Sequence, residues 1–348
     1  MGDRPQRTRA TVTALAVAVA CTGLVGYLIS GHAAAPVPSK PSPSLAPVTT
    51  APPATPQPIA SGFSVADDPA TGQVVVFGGS SGLGADTWVW TGLTWEFEEP
   101  STQPPPLGFA SLVYDPQSRL VMLAGGGPYS AGGNDGTWGW DGKTWHELDA
   151  SISQPPVAGG TMAWDPALQQ MILVTATSTT NTASSQTWLW KVNRWVARGS
   201  PAPFQADGLE VAVAESTNTL IAVSCCTMTD ATQTWRWDGS AWHLLTTAVF
   251  PSSPTFDGMG WDSITHALLM CGQLYIGAET PQLMPALMWK LVGRKWVALG
   301  GEGPKVLGAA LIETNDGLRL IGSDATVEGI TTPYHIWAWT GSGWKQLD

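Results

Sequence analysis

The sequence predicts an all-β protein, a six-bladed β-propeller of four-stranded blades, preceded by one N-terminal transmembrane helix and a Pro-rich linker. Three observations carry this. Tryptophans recur about every 50 residues, a strand-and-turn pattern recurs inside each interval, and an uncharged N-terminal run leads into a proline-rich stretch.

The tryptophans come first because they set the period. Trp88, Trp138, Trp188, Trp235, Trp289 and Trp337 are separated by 50, 50, 47, 54 and 48 residues. Each is followed seven residues later by a second, at Trp95, Trp145, Trp195, Trp242, Trp296 and Trp344. Five also have a Trp two residues on, at Trp90, Trp140, Trp190, Trp237 and Trp339, with Leu291 as the exception. Seventeen of the 19 tryptophans obey one template, so they mark a repeated structural unit rather than separate sites.

Each unit reads as four short strands. In the second they are GFASLVYD, RLVMLAGG, TWGW and TWHELD. Asp115-Pro116 turns the first strand into the second, as do Asp68-Pro69 and Asp165-Pro166 in their units. Asp141-Gly142 and Asp238-Gly239 fall between third and fourth strands, where a tight hairpin wants residues at positive φ. The second strands are continuously apolar (VVVF, LVML, MILV, LIAV, ALLM, LRLI), which predicts burial on both faces between neighbouring blades. Because the first unit begins with its innermost strand and the last ends with its outermost, no strand is lent across the ring. Closure then rests on packing of blade one against blade six.

The glycine pair that closes the second strand, Gly78-Gly79 and Gly125-Gly126, resembles the double glycine of the kelch repeat. The aromatic followed by Trp with six residues between them, present in all six units, is similar too, and the ~50-residue period is that of kelch rather than WD40 units. Residues 61–348 thus resemble the kelch-type β-propellers of the galactose-oxidase-like/kelch repeat superfamily, as a bacterial, membrane-anchored member. The pair departs from the pattern at Thr175-Ala176, Cys225-Cys226, Gly272-Gln273 and Gly322-Ser323. The resemblance implies blades at about 61–100, 101–150, 151–200, 201–249, 250–301 and 302–348, with ligands bound on the face that carries the strand 2–3 and interblade loops.

Residues 10–31 are uncharged and mostly apolar, long enough at ~1.5 Å per residue to cross a ~30 Å hydrocarbon core. Arg4, Arg7 and Arg9 precede them, so the positive-inside rule leaves residues 1–9 as a basic cytoplasmic tail and sends the rest outside. The alternative is a signal peptide cleaved near Ala33-Ala34-Ala35, which makes the domain secreted. Residues 32–60 form a Pro/Ser/Thr-rich linker with nine prolines between 33 and 60, an extended spacer that cannot build a core. The net charge is −11, with −14 on residues 61–348, which argues against nucleic acid and anionic membrane surfaces as partners.

Variable loops on a rigid scaffold are where binding concentrates. The candidate ligand-binding residues there are Tyr129, Tyr275, Tyr334, His335 and Asp135, with Asp207 and Asp257 just before innermost strands. No histidines have metal-ligand spacing, so neither metal nor cofactor is expected. The Tyr, Cys and His cluster of a copper-radical sugar oxidase, which the resemblance brings to mind, has no counterpart here. Cys271 and one of Cys225 and Cys226 stand at nearly one level of adjacent blades, a candidate interblade disulfide in an oxidising compartment.

These residues favour a monomeric ectodomain that binds protein or envelope glycan. Two alternatives stay open. One is a carbohydrate-active enzyme, of oxidase, epimerase or hydrolase type, with carboxylates converging at the propeller axis. The other is a structural envelope protein.

Overall fold

The computed structural model describes residues 62–78, 84–127, 136–149, 160–179, 182–202, 204, 209–224, 231–249, 254–274, 285–301, 303–323 and 334–348. The run 10–31 and the linker 32–60 lie outside these residues. Among the described residues no helix is long and apolar enough to cross a membrane.

Six four-stranded sheets make six blades. Blade one is β1 (Ser64–Asp68), β2 (Gln73–Phe77), β3 (Thr87–Trp90) and β4 (Trp95–Glu98). Blade two is β5 (Gly108–Asp115), β6 (Leu120–Gly127), β7 (Thr137–Trp140) and β8 (Trp145–Asp149). Blade three is β9 (Gly160–Asp165), β10 (Gln170–Thr179), β11 (Thr182–Trp190) and β12 (Trp195–Ala202). Blade four is β13 (Leu209–Ala214), β14 (Thr219–Ser224), β15 (Ala231–Trp237) and β16 (Trp242–Val249). Blade five is β17 (Pro254–Asp262), β18 (Ala267–Leu274), β19 (Leu287–Val292) and β20 (Lys295–Ala298). Blade six is β21 (Leu307–Thr314), β22 (Gly317–Ser323), β23 (Tyr334–Trp339) and β24 (Trp344–Gln346).

Every sheet runs in sequence order, each strand antiparallel to the next, and no strand crosses from one blade to another. Closure is therefore by packing: Val74, Val76, Trp88 and Trp95 of blade one share a core with Ile312, Ile321 and Ile336 of blade six. The other cores are likewise interblade. Val75 and Phe77 of blade one, for instance, pack with Val121, Leu123, Trp140 and Trp145 of blade two. This accounts for the unbroken apolar second strands, which bury both faces.

The turn chemistry follows the sequence. Asp68, Asp115, Asp165 and Asp262 are buried, and each carboxylate accepts backbone N–H bonds from its own turn, as from Ala70, Gln117, Ala167 and Ile264. The glycine pair has a steric cause. A Cβ on Gly78 would lie 2.5 Å from the Leu107 carbonyl oxygen, and one on Gly126 2.8 Å from that of Gly108. Both residues also hold φ of +70° and +76°. Where blade three substitutes Thr175-Ala176, the ladder does not stop. It continues to the pair Thr179 and Thr182, so the expected long loop is a hairpin extension.

The repeated tryptophans pack in pairs across the third and fourth strands, with centroids 5.0 to 5.5 Å apart in five blades. The fourth-strand indole also latches one blade to the one before. Trp145 Nε1 donates to Thr87 Oγ1 (2.8 Å), Trp195 to Thr137 (2.8 Å), Trp242 to Thr187 (2.9 Å) and Trp296 to Thr234 (2.9 Å). At the remaining two junctions the threonine is replaced, by Met288 and by Ile336. There the indole N–H groups of Trp344 and Trp95 are buried without a partner.

Candidate functional site

The innermost strands line the axis, and the ends at which they begin lie on the side where the second strands end. Near this end a short hydroxyl side chain usually ties one blade to the next. Ser64 Oγ donates to the Ala110 carbonyl (2.7 Å), Ser111 Oγ accepts from the Met162 N–H (2.9 Å), and Thr161 Oγ1 donates to the Leu209 carbonyl (2.8 Å). The next residue in this series, on β13, is Glu210. Its carboxyl has no hydrogen-bond partner among the described residues. The residue is half-buried among the strands around it.

Blade five answers with an irregularity at the same level. The β17–β18 ladder shifts register between Phe256 and Gly258, so Asp257 is the extra residue of a β-bulge. Asp257 Oδ2 is buried and has no hydrogen-bond partner. Burial pushes the Asp257 carboxyl up to about 7. Burial, and then the charge of Asp257, push Glu210 up to about 8. Two carboxyls held this way do not both ionise at neutral pH, so together they offer a proton donor and an acceptor. Opposite Gly258 stands Cys271, a free buried thiol that burial and the Asp257 charge hold well above the usual thiol range.

At the opposite end of the axis the acids are engaged. Glu313 Oε2 accepts from the Trp261 N–H (2.9 Å); it stays open to water along the axis, while the strands around it raise its carboxyl to about 7. Burial raises Asp67 to about 6 against the opposing backbone N–H of Asn315. Their bonds make these groups part of the framework.

Of the candidates read from the sequence, Asp257 is at the axis, within β17 rather than before it. Tyr334 is no loop residue. It opens β23, is 4% exposed, and meets Phe63 of blade one edge-on at 5.4 Å, so it packs the blade six–one junction. His335 lies 3.3 Å from Asp348 and stands beside Gln346, tying β23 to the residues after β24. Tyr129, Asp135, Asp207, Tyr275, Cys225 and Cys226 lie outside the described residues. Glu210 was not singled out by the sequence. The one signal for it is positional, a carboxylate where Ser64, Ser111 and Thr161 stand in the preceding innermost strands.

Among the described residues no group of three or more His, Cys, Asp or Glu side chains is placed to hold a metal ion. No family model and no curated protein matches the chain. Solved structures do. YjhT superposes with a TM-score of 0.58 at 13% identity, over 84% of this chain and 99% of that one. An Aleuria aurantia lectin mutant in complex with Fucα1-6GlcNAc gives 0.57 at 12% identity, over 84% and 96%. SapL1 lectin in complex with α-methyl fucoside gives 0.57 at 15%, over 83% and 96%. At these identities the likeness establishes what the chain shares with them, the propeller fold.

Proposed function

We propose that this protein is a membrane-tethered, extracytoplasmic propeller that binds glycan on the face bearing the strand 2–3 and interblade loops, with Glu210 and Asp257 meeting the sugar at the axis. One observation carries the reading: two adjacent blades bring together at the axis two carboxyls that have no hydrogen-bond partner among the described residues. Buried polar groups in folded proteins are as a rule paired, so two unpaired carboxyls side by side suit a ligand rich in hydroxyls. Carboxylate oxygens accept hydrogen bonds from hydroxyls, and a carboxyl that keeps its proton donates one as well. The lectin complexes among the structural neighbours are consistent with a glycan ligand. The tether is residues 10–31, with 32–60 as spacer.

Glycan-array binding by the full-length chain, beside the Glu210→Gln/Asp257→Asn double variant, tests this. Saturable binding that falls at least tenfold in a folded double variant is expected. Equal binding by both proteins, or binding to envelope proteins alone, sinks the axial glycan site. Membrane fractionation tests the tether, because a propeller released into the medium overturns it.

A second reading has its own support in the raised pKa values of the adjacent pair. A carboxyl that keeps its proton near neutrality beside one that gives it up is what general acid–base chemistry on a sugar needs. Chromatography of array-positive glycans after incubation distinguishes the two, since a new product appears only if the pair turns its ligand over.

A further inference from the structure

One residue of the innermost strands breaks the repeat where backbone shape is most demanding. Six residues before the end of the innermost strand, the sequence has Gly62, Gly159, Gly208 and Gly308 in blades one, three, four and six. Gly62 and Gly308 hold φ of +83° and +57° there. Blade two keeps that backbone and changes the residue, with Phe109 at φ +56°. A side chain as large as a benzyl group strains this conformation, which glycine adopts freely. Blade five, the other exception, has Phe256 at this place and packs it edge-on against Trp289 at 6.4 Å, beside an interblade core.

Phe109 is instead 56% exposed. Its N–H donates to the Gly62 carbonyl at 2.9 Å, which holds the strained residue against blade one. A Cβ on Gly62 would lie 3.2 to 3.4 Å from Cζ, Cε2 and Cε1 of Phe109, so the far end of the ring covers Gly62. Exposed apolar residues are common on protein surfaces, and by themselves they mean little. A bulky residue that is exposed and also held in a left-handed backbone serves neither the core nor the chain path, and such strain collects at functional sites.

We propose that Phe109 is the stacking platform of the axial site, and that the occupant is a short neutral oligosaccharide lying across the mouth of the axis. The inference rests on the glycan reading above. Glu210 stands four, Asp257 five and Phe109 six residues before the ends of their strands, so all three lie toward one end of the axis. The shared cores place the blades around the ring in sequence order, which sets blade two opposite blade five. Phe109 and Asp257 therefore lie on opposite sides of the axis, and a ligand that meets both spans it. One sugar ring lies on the aromatic, whose negative π face attracts polarised C–H groups, and another gives its hydroxyls to the carboxyls. The six innermost strands contain no Lys, Arg or His, so an acidic sugar finds no counter-charge on them.

Titration calorimetry of the full-length chain with the mono-, di- and trisaccharides of the cello-, manno- and chito-series is the test. It is run on wild type, Phe109→Gly, Phe109→Tyr and the Glu210→Gln/Asp257→Asn variant. Wild type should bind the trisaccharide of at least one series about tenfold or more tighter than its monosaccharide. Phe109→Gly should lose that gain with chain length, Phe109→Tyr should keep it, and the carboxyl variant should bind every member of the series more weakly. Glycine relieves the positive φ, so Phe109→Gly should melt no lower than wild type. A gain with chain length that survives in Phe109→Gly, while the carboxyl variant is weakened, overturns the platform and leaves the axial site standing. A melting temperature well below wild type in Phe109→Gly makes the ring a packing residue and overturns the platform too. Undiminished binding by the carboxyl variant, or no binding by wild type, sinks the axial site and the platform with it.

Discussion

The junctions among blades one to five and the two that flank blade six use the same tryptophans and close differently. In the first group a threonine hydroxyl receives the fourth-strand indole N–H at 2.8 to 2.9 Å, four times over. In the second, Met288 and Ile336 offer no acceptor, and Trp344 and Trp95 keep buried, unbonded N–H groups. The inner ring shows a related split. Hydroxyl ties join blades one to four, and then Glu210, the bulge at Asp257 and a further register shift between Leu307 and Ala310 follow. Regular junctions latch each fourth-strand indole to a threonine and so hold the frame. The irregular ones forgo bonds, and unpaired groups that a frame does not need are the mark of a site.

The largest expected effect tests the two groups of junction directly. Trp145→Ala empties a fully packed position and should cost ~3–5 kcal/mol, whereas Trp344→Ala, half-buried and unlatched, should cost roughly 1–3 kcal/mol. Urea unfolding of both variants measures the contrast, and equal losses would erase the distinction.

Acidity comes next. Folded Glu210 and Asp257 retain protons that the unfolded chain releases near its ordinary carboxyl values. Their stabilisation is therefore whole below about pH 4 and is lost as pH rises toward 7 and 8, at up to about 1.4 kcal/mol per unit for each group. Melting temperature should fall across that window. In Glu210→Gln the slope should flatten and the protein should melt higher than wild type at pH 8; a profile as steep as wild type would mean that other groups set it.

A latch can be cut without changing shape. Thr187→Val leaves the Trp242 N–H buried and unpaired, at an expected cost of about 1–3 kcal/mol. The reverse change, Ile336→Thr, loses apolar volume but hands Trp95 an acceptor. It should stay within about 1 kcal/mol of wild type, and a loss as large as that of Thr187→Val would show that the hydroxyl is not what seals these junctions.

The smallest effect is at the rim. His243 sits 2.6 Å from Asp238 in the blade four hairpin, with the histidine about half exposed. His243→Ala should change stability by no more than about 0.5 kcal/mol, since an exposed pair gains little in water.

The blades were legible in the sequence because tryptophan is scarce and 17 of them keep one spacing, while Asp-Pro and Asp-Gly turns punctuate the same interval. The axial pair was legible only by half. Asp257 stood out as a charge close to an innermost strand, but Glu210 inside LEVAVA reads as an ordinary outward position. Bringing the two together depends on the bulge between Phe256 and Gly258, a backbone event with no composition of its own. Tyr334 misled for a related reason. A strand that starts earlier than its pattern turns a loop aromatic into a core one, and the partner that makes it so, Phe63, lies at the other end of the domain sequence.

That each sheet is made from four consecutive strands has a consequence for how the protein is made. A blade can pair all its strands as soon as its own residues leave the ribosome, without waiting for a later segment to complete it. Assembly is then stepwise, a new blade docking on the one before, with short-range contacts that favour fast closure of each unit. Only the final docking joins distant parts of the chain, and it falls at blade six, where the indole latches are missing. The nascent chain therefore spends its last waiting period as an open arc whose free edges are the Ile336 side of blade six and the Trp95 side of blade one.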